Sequence, residues 1–246
     1  MIKRIIKKGF NTLGYKLQKK GAESYPKYQN PMTIQAALIR CKDRGLKIDT
    51  VIDVGASDGR WSKDCMKFFP EVNYLMIEAQ EGHRSALENF KNDNPKVDFI
   101  LAAAGRTEGN IYFNEADLFG GLASETPLEE NCIEVPVISL DNEINKRNLK
   151  GPYLLKLDTH GFEIPILEGA NAIMRNAELI IIETYNFKLT NDSLRYWEMC
   201  EYMEKLGFSP IENVDFLLRK QDKAFWQMDT FFIPSTNKAF SSTTFL

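Results

Sequence analysis

Thr50-Val51-Ile52-Asp53-Val54-Gly55-Ala56-Ser57-Asp58-Gly59 decides the fold. Apolar and β-branched positions enclose one acid, Asp53, and end in a turn bracketed by two glycines. Beyond it, Arg60-Trp61-Ser62-Lys63-Asp64-Cys65-Met66-Lys67-Phe68-Phe69 carries apolar residues at 61, 65, 68 and 69, the spacing of one helix face. Strand, tight loop and helix in that order open a nucleotide-type α/β unit. Gly55 and Gly59 permit backbone geometry and a close ligand approach that a Cβ would block. The helix start offers free N–H groups to an anionic ligand group.

Three readings compete for this loop. The dinucleotide fingerprint needs a third glycine that is missing here. The nucleophile elbow G-x-S-x-G is formally matched, with Ser57 as nucleophile, but that fold needs several strands before its elbow. The third reading is a site for S-adenosylmethionine (SAM), because a strand-end acid followed by G-x-S-x-G resembles motif I of class I methyltransferases. A second acid should then close the next strand and hold ribose hydroxyls, by the logic of dinucleotide folds. Asn73-Tyr74-Leu75-Met76-Ile77-Glu78-Ala79 supplies Glu78, 25 residues after Asp53. The plain alternative is an ordinary βαβ turn with a surface glutamate.

A second strand meets a polar turn in Tyr153-Leu154-Leu155-Lys156-Leu157-Asp158-Thr159-His160-Gly161-Phe162-Glu163. Lys156 and Asp158 share a strand face. A lysine in so apolar a strand must reach solvent or a carboxylate, and Asp158 or Asp53 would serve. His160 is one of two histidines, a residue type that exchanges protons near neutral pH; the alternative is a turn histidine with no proton to move. His83, after Glu78, is read as a surface or ribose-side residue.

Lys156-Leu157-Asp158-Thr159-His160-Gly161-Phe162-Glu163 followed by Ile166-Leu167-Glu168-Gly169-Ala170 resembles the signature of the FkbM-type methyltransferase family. Ile52 to Gly59 and Ile77-Glu78-Ala79 stand upstream in that family's order, so the resemblance covers about residues 50–190. Many members carry an acid or glutamine where His160 stands. The resemblance implies a SAM-dependent methyl transfer, mostly to oxygen and often on sugars or natural products, with S-adenosylhomocysteine as product. It implies that Asp53, Gly55, Ala56, Ser57, Asp58, Gly59 and Trp61 surround the methionine part of SAM. Glu78 with Ala79 takes the ribose, and Ala103 flanks the adenine. Asp158 and His160 are the expected catalytic residues, Asp158 also touching the cofactor, and Glu183, Tyr185 and Phe119 are expected against the acceptor. A SAM-binding or scaffold protein without transfer activity is the alternative from another class.

The fold expected is α/β, a Rossmann-like class I methyltransferase fold. It has a mostly parallel seven-stranded sheet with helices on both faces, an antiparallel C-terminal strand pair and an N-terminal helical extension. Helices are read at 33–44, 60–69, 82–92 and 193–206. Strands are read at 50–54, 73–79, 97–104, 153–157 and 178–185, with three short ones at 208–214, 216–219 and 226–233. Residues 105–140 turn to β and loop, and Leu118-Phe119-Gly120-Gly121-Leu122-Ala123-Ser124 suits a flap. Residues 32–246 form the catalytic domain; 1–31 are a helix and linker.

The 246-residue chain has a net charge of −3, which gives no case for nucleic-acid binding. Its cysteines at 41, 65, 132 and 200 form no C-x-x-C pair. No metal is expected, and the setting expected is reduced and cytoplasmic. No run of 18 apolar residues or secretory h-region is seen. Residues 1–20 depart from the average, with Lys3, Arg4, Lys7, Lys8, Lys16, Lys19 and Lys20 between Ile2, Ile5, Ile6, Phe10, Leu13 and Leu17 at helical spacing. Such a helix suits peripheral attachment to the inner face of an anionic membrane or to a partner protein; equally, it can pack its apolar stripe on the domain.

Overall fold

Apolar residues alternate between two faces along every central strand, and that alternation builds the molecule. The structure, a computed structural model, describes residues 30–115, 117–127 and 132–244. The basic helix expected at 1–20 lies outside the described residues. The chain divides into two compact units, Met1–Pro31 and Met32–Leu246, and every element of the sheet belongs to the second. Among the described residues no helix is long and apolar enough to cross a membrane.

Strands β1 (Thr50–Val54), β2 (Asn73–Glu78), β3 (Val97–Leu101), β8 (Tyr153–Leu157) and β9 (Ala177–Tyr185) pair in parallel. β11 (Phe225–Pro234) adds antiparallel to β9, and β10 (Phe208–Leu218) antiparallel to β11. The sheet order is β10-β11-β9-β8-β1-β2-β3, the seven strands expected. All five residues of β1 and of β8 are buried, as in strands covered on both faces. Ile52, Val54, Leu75, Ile77, Leu155, Leu157, Ile180 and Ile182 point into one core. Their neighbours Val51, Tyr74, Met76, Leu154, Leu179 and Ile181 point into the other. Helices cover the two layers: α1 (Ile34–Asp43), α2 (Arg60–Cys65), α3 (Arg84–Asp93), α4 (Leu140–Lys146), α5 (Glu163–Glu168), α6 (Asn171–Met174) and α7 (Tyr196–Lys205). Thr33 caps α1 by accepting the Ala36 N–H.

Four element boundaries differ from the sequence reading by more than two residues. The 60–69 helix stops at Cys65, because Lys67 and Phe68 close tight three-residue turns onto Asp64 and Cys65 before Pro70. The third strand ends at Leu101; Ala103–Ala104 (β4) leaves it to pair with β7 (Cys132–Ile138). The 193–206 helix begins at Tyr196, since the Ser193 hydroxyl is held in a turn by the Leu189 and Thr190 N–H groups. The break read near 215 is a bulge within one long β10. Asp215 takes a left-handed φ of 51° there and its carboxylate accepts the Ile34 N–H at 3.0 Å.

The 105–140 segment is a sheet of its own. β4, β7, β5 (Gly109–Asn114) and β6 (Leu122–Ser124) lie side by side in that order. Ala103, Ile111, Phe113, Val135 and Val137 give it a small separate core. The loop from Asp117 to Gly121 hangs from this sheet over the strand ends of the large one.

Candidate active site

A cavity of about 410 Å³ opens at the carboxyl ends of β1, β2 and β8, within the roughly 300–1,000 Å³ typical of small-molecule sites. Its floor is the Gly55–Ala56–Ser57 turn, and Glu78, Gln80, Ala102, Ala103, Asp158, Thr159, His160 and Phe162 line its sides. α1 contributes Ile34, Gln35 and Leu38, and the flap contributes Leu118, Phe119 and Gly121.

The turn is built by three left-handed residues, Gly55 (φ 76°), Ser57 (52°) and Gly59 (80°). A Cβ on Gly55 would sit 2.0 Å from the Asp158 carbonyl oxygen, and one on Gly59 2.8 Å from the Phe90 ring. Both glycines therefore serve close packing inside the protein. Ser57 pays the steric strain of a left-handed non-glycine residue, about 1–2 kcal/mol, and the Glu78 carboxylate holds it there. Glu78 Oε2 accepts the Ser57 N–H at 2.7 Å and Oε1 accepts the Gln80 N–H at 2.8 Å. Burial raises the Glu78 carboxyl above its usual range, against the pull of those two N–H groups.

Strand register gathers the charges. Asp53 and Lys156 are direct partners across β1 and β8; Asp158 lies two residues on from Lys156, and Glu183 pairs with Asp229 across β9 and β11. All stand on one face. The buried Lys156 ammonium reaches Asp158 Oδ2 at 2.9 Å and Asp53 Oδ1 at 3.7 Å. The lysine thus takes both carboxylates the sequence offered it. Ser62 donates to Asp53 Oδ2 at 2.7 Å. Burial works against the charge on Lys156, but Asp158 and Asp53 outweigh it and raise its pKa. Burial also raises Asp158, yet Lys156, Glu183 and His160 hold it below the usual carboxylate range. Glu183, buried and facing Asp158, is pushed up to about 9, and Asp229 is pushed up to about 7 chiefly by burial.

His160, with a left-handed φ of 52°, stands over these acids. Its Nε2 lies 3.5 Å from Asp158 Oδ1 and 3.6 Å from Glu183 Oε2, and its Nδ1 is 3.2 Å from the Gly121 carbonyl. Tyr185 donates its hydroxyl hydrogen to Glu183 Oε2 and meets the His160 ring edge-on at 6.2 Å. Gln227 donates to Glu183 Oε1. Asp158 and His160, expected at the reaction, and Glu183, expected against the acceptor, thus come together: they end two neighbouring strands.

The other expected residues fall in different places. Gly55, Ala56, Ser57, Trp61, Glu78, Ala79, Ala103, Asp158, His160 and Phe119 line the cavity. Asp53 is wholly buried behind it, its carboxylate turned to Lys156 and Ser62. Asp58 turns outward to Arg60, and Gly59 lies with it along an outer groove. Glu183 and Tyr185 stand behind His160 rather than on the cavity wall. The indole Nε1 of Trp61 is buried without a hydrogen-bond partner. Sequence reading passed over Gln80 and Thr159. Gln80 donates to the Asp117 and Leu118 carbonyls, both at 3.1 Å, latching the flap; a polar residue just past the strand-end acid was the available signal.

His83, read as a surface or ribose-side residue, is buried under the flap and bonded to the Leu118 carbonyl at 2.8 Å. That bond requires its Nε2 to carry the hydrogen, so the same nitrogen, 3.4 Å from Ser57 Oγ, has no lone pair for the serine proton. The elbow reading of Ser57 fails on this point, since its base is lacking.

The strand order, with its one reversed strand and its cavity at the carboxyl ends, defines a class I methyltransferase fold. The chain belongs to the FkbM methyltransferase family: the family model described as "Methyltransferase FkbM domain" matches residues 53–210. Among solved structures, methyltransferase FkbM from Methylobacillus flagellatus KT is similar, at 16% identity and a TM-score of 0.50. That likeness covers 75% of this chain and 43% of that one, so this chain answers to less than half of that protein. A SAM-dependent methyltransferase from Aquifex aeolicus shows 14% identity and a TM-score of 0.44 over 85% of this chain and 96% of that one. Precorrin-6y C5,15-methyltransferase from Geobacter metallireducens GS-15 shows 12% and 0.45 over 88% and 94%. No curated protein matches.

Proposed function

We propose that this protein transfers the methyl group of SAM to a hydroxyl oxygen of a sugar, on a glycan, polysaccharide or natural product. The observation that carries the reading is the meeting of the Gly55–Ser57 turn, Glu78 and the Asp158–His160 corner in one cavity. Bound SAM supplies a methyl already activated by its sulfonium, so the protein's work is chiefly alignment, which lowers such barriers by about 7–11 kcal/mol.

The residues present fit that cofactor. Glu78 uses one lone pair on each oxygen for backbone and keeps about two for a ribose diol. The unpartnered Trp61 N–H offers a donor to a ligand carboxylate. Ala102 and Ala103 leave a flat, apolar slot beside Glu78 for the adenine. Asp158 and His160 stand at the reacting end, ready to receive the acceptor hydroxyl and its proton, a contribution of about 10²–10⁴-fold. Phe119, over half exposed at the rim and under the Arg60 guanidinium at 4.9 Å, offers a stacking face to a sugar ring. Glu183 and Tyr185 fix His160 from behind. The four cysteines are all thiols, which suits the reducing cytoplasm proposed as the setting. Attachment of residues 1–20 to a membrane surface or partner stays part of the proposal, tested by liposome co-sedimentation of the full chain against residues 21–246.

Mass spectrometry of the purified protein for an adenosyl ligand, followed by a methyl-transfer assay across sugar acceptors, tests the reading. Formation of S-adenosylhomocysteine only with a hydroxylated acceptor supports it. Tight SAM binding with no transfer to any acceptor overturns it in favour of a binding protein.

A further inference from the structure

Asp158 Oδ1, His160 Nε2 and Glu183 Oε2 form an unusual trio. One donor atom from each lies within 4.8 Å of the others. The imidazole nitrogen faces both carboxylates, at 3.5 and 3.6 Å, beyond the ~2.7–3.2 Å of a sound N–H···O bond. Two ligands each ~2.1 Å from a common ion, at angles of 90–110°, lie about 3.0–3.5 Å apart. The two histidine–carboxylate spacings are close to those of ligands around an ion.

The groups behind the trio point the same way. His160 Nδ1 faces the Gly121 carbonyl at 3.2 Å, which requires the hydrogen on Nδ1 and leaves the lone pair on Nε2. Lys156 holds Asp158 by Oδ2, leaving Oδ1 toward His160. Gln227 holds Glu183 by Oε1, and Tyr185 leaves Oε2 one lone pair. Each candidate ligand thus has an outer partner that fixes its orientation and tautomer, the arrangement found around ligating histidines and carboxylates. The charge balance adds to this: Asp53, Asp158, Glu183 and Asp229 share one face with a single lysine, Lys156.

We infer that Asp158, His160 and Glu183 bind one divalent cation of the Mn²⁺ class, whose remaining positions open on the cavity. Two carboxylate oxygens with one imidazole nitrogen suit a borderline, six-coordinate ion better than Ca²⁺, which takes oxygen alone. Asp158 and His160 line the cavity, so two adjacent oxygens of an acceptor, with one water, complete the six-coordinate shell. This names the acceptor class as a vicinal diol, a step that rests on the methyl-transfer reading; the cation site does not. With the ion present, His160 is a ligand, and the ion in place of the imidazole acidifies the acceptor hydroxyl, whose proton leaves to solvent.

The test uses the full chain, stripped with EDTA and titrated with MnCl₂ without SAM. Free Mn²⁺ is followed by electron paramagnetic resonance, and SAM binding by calorimetry on the same preparation. The expected result is saturation at one Mn²⁺ per chain, with affinity reduced in Glu183→Gln by at least the about 10–100-fold that loss of an outer partner alone gives. His160→Ala gives the same loss and serves if Glu183→Gln does not fold. Absence of saturable binding, or unchanged affinity in the folded variant, overturns the site. SAM binding without Mn²⁺ binding leaves the methyltransferase reading standing alone, and Mn²⁺ binding without SAM leaves only the cation site.

Discussion

In the proposed function Glu78 is where structure and cofactor meet, so Glu78→Ala carries the most information. Its two oxygens already accept the Ser57 and Gln80 N–H groups at 2.7 and 2.8 Å. A carboxylate offers about four lone-pair sites, so about two remain for a ribose diol. Hydrogen bonds to a charged partner contribute about 1.5–3 kcal/mol each; losing two costs about 3–6 kcal/mol. That predicts a Kd for SAM or S-adenosylhomocysteine weaker by about 10²–10⁴-fold. The fold suffers less, because the freed N–H groups border a cavity that water enters. A stability loss of about 1–3 kcal/mol is expected, or roughly 2–4 °C of Tm per kcal/mol for a chain this size. Calorimetry below the variant's Tm separates the two effects. Adenosine against 2′,3′-dideoxyadenosine isolates the ribose: wild type should prefer adenosine, the variant should not. A variant that folds and binds S-adenosylhomocysteine as wild type does would refute the ribose assignment and, with it, the orientation of the ligand.

His160→Ala should leave SAM affinity near wild type and lower kcat by about 10²–10⁴-fold; wild-type turnover would make it a structural turn residue. Lys156→Met leaves Asp53 and Asp158 without their buried counter-charge, a loss of about 3–5 kcal/mol, read as a lower midpoint in denaturant. Gly55→Ala forces a Cβ to within 2.0 Å of the Asp158 carbonyl and should prevent folding or abolish SAM binding; a stable, binding variant would show that the turn relaxes cheaply. Glu183, raised to about 9, binds its proton more tightly folded than unfolded. Its stabilising share is therefore whole below pH ~4.5, the ordinary glutamate range, and is lost as pH rises through about 9. In EDTA, stability between pH 7 and 9 should fall by up to about 1.4 kcal/mol per pH unit, and Glu183→Gln should flatten that slope.

The large sheet was legible because its strands are short, near-continuous apolar runs rich in β-branched residues, several of them closed by an acid, as strands buried on both faces are. Ile52 and Leu155 must face one layer and Val51 and Leu154 the other. The small sheet was less so: β4 has two residues, and nothing local in Ala102-Ala103-Ala104 marks where the chain abandons one ladder for the next. The long β10 was read as two strands parted at Asp215; the left-handed bulge there is tied to the Ile34 N–H, 181 positions away, which no window along the chain can contain.

The site divides along the same line. Gly55, Ser57 and Glu78 announce themselves, since each belongs to a strand end and its turn. Asp158, His160 and Glu183 were also expected at the site, but how they face one another requires knowing that β8 and β9 are neighbours and in what register: Lys156 opposite Ile181 places Glu183 level with Asp158. The same register sets Glu183 opposite Asp229, two acids that would repel if both were ionised. A sequence-level count of acids at strand ends finds the members but not their mutual charge, and that charge is what the site has to work with. The excess of carboxylate over lysine on this face must be met by protons or by a cation. The choice between them decides which of the two roles proposed for His160 applies, receiving a proton or holding an ion.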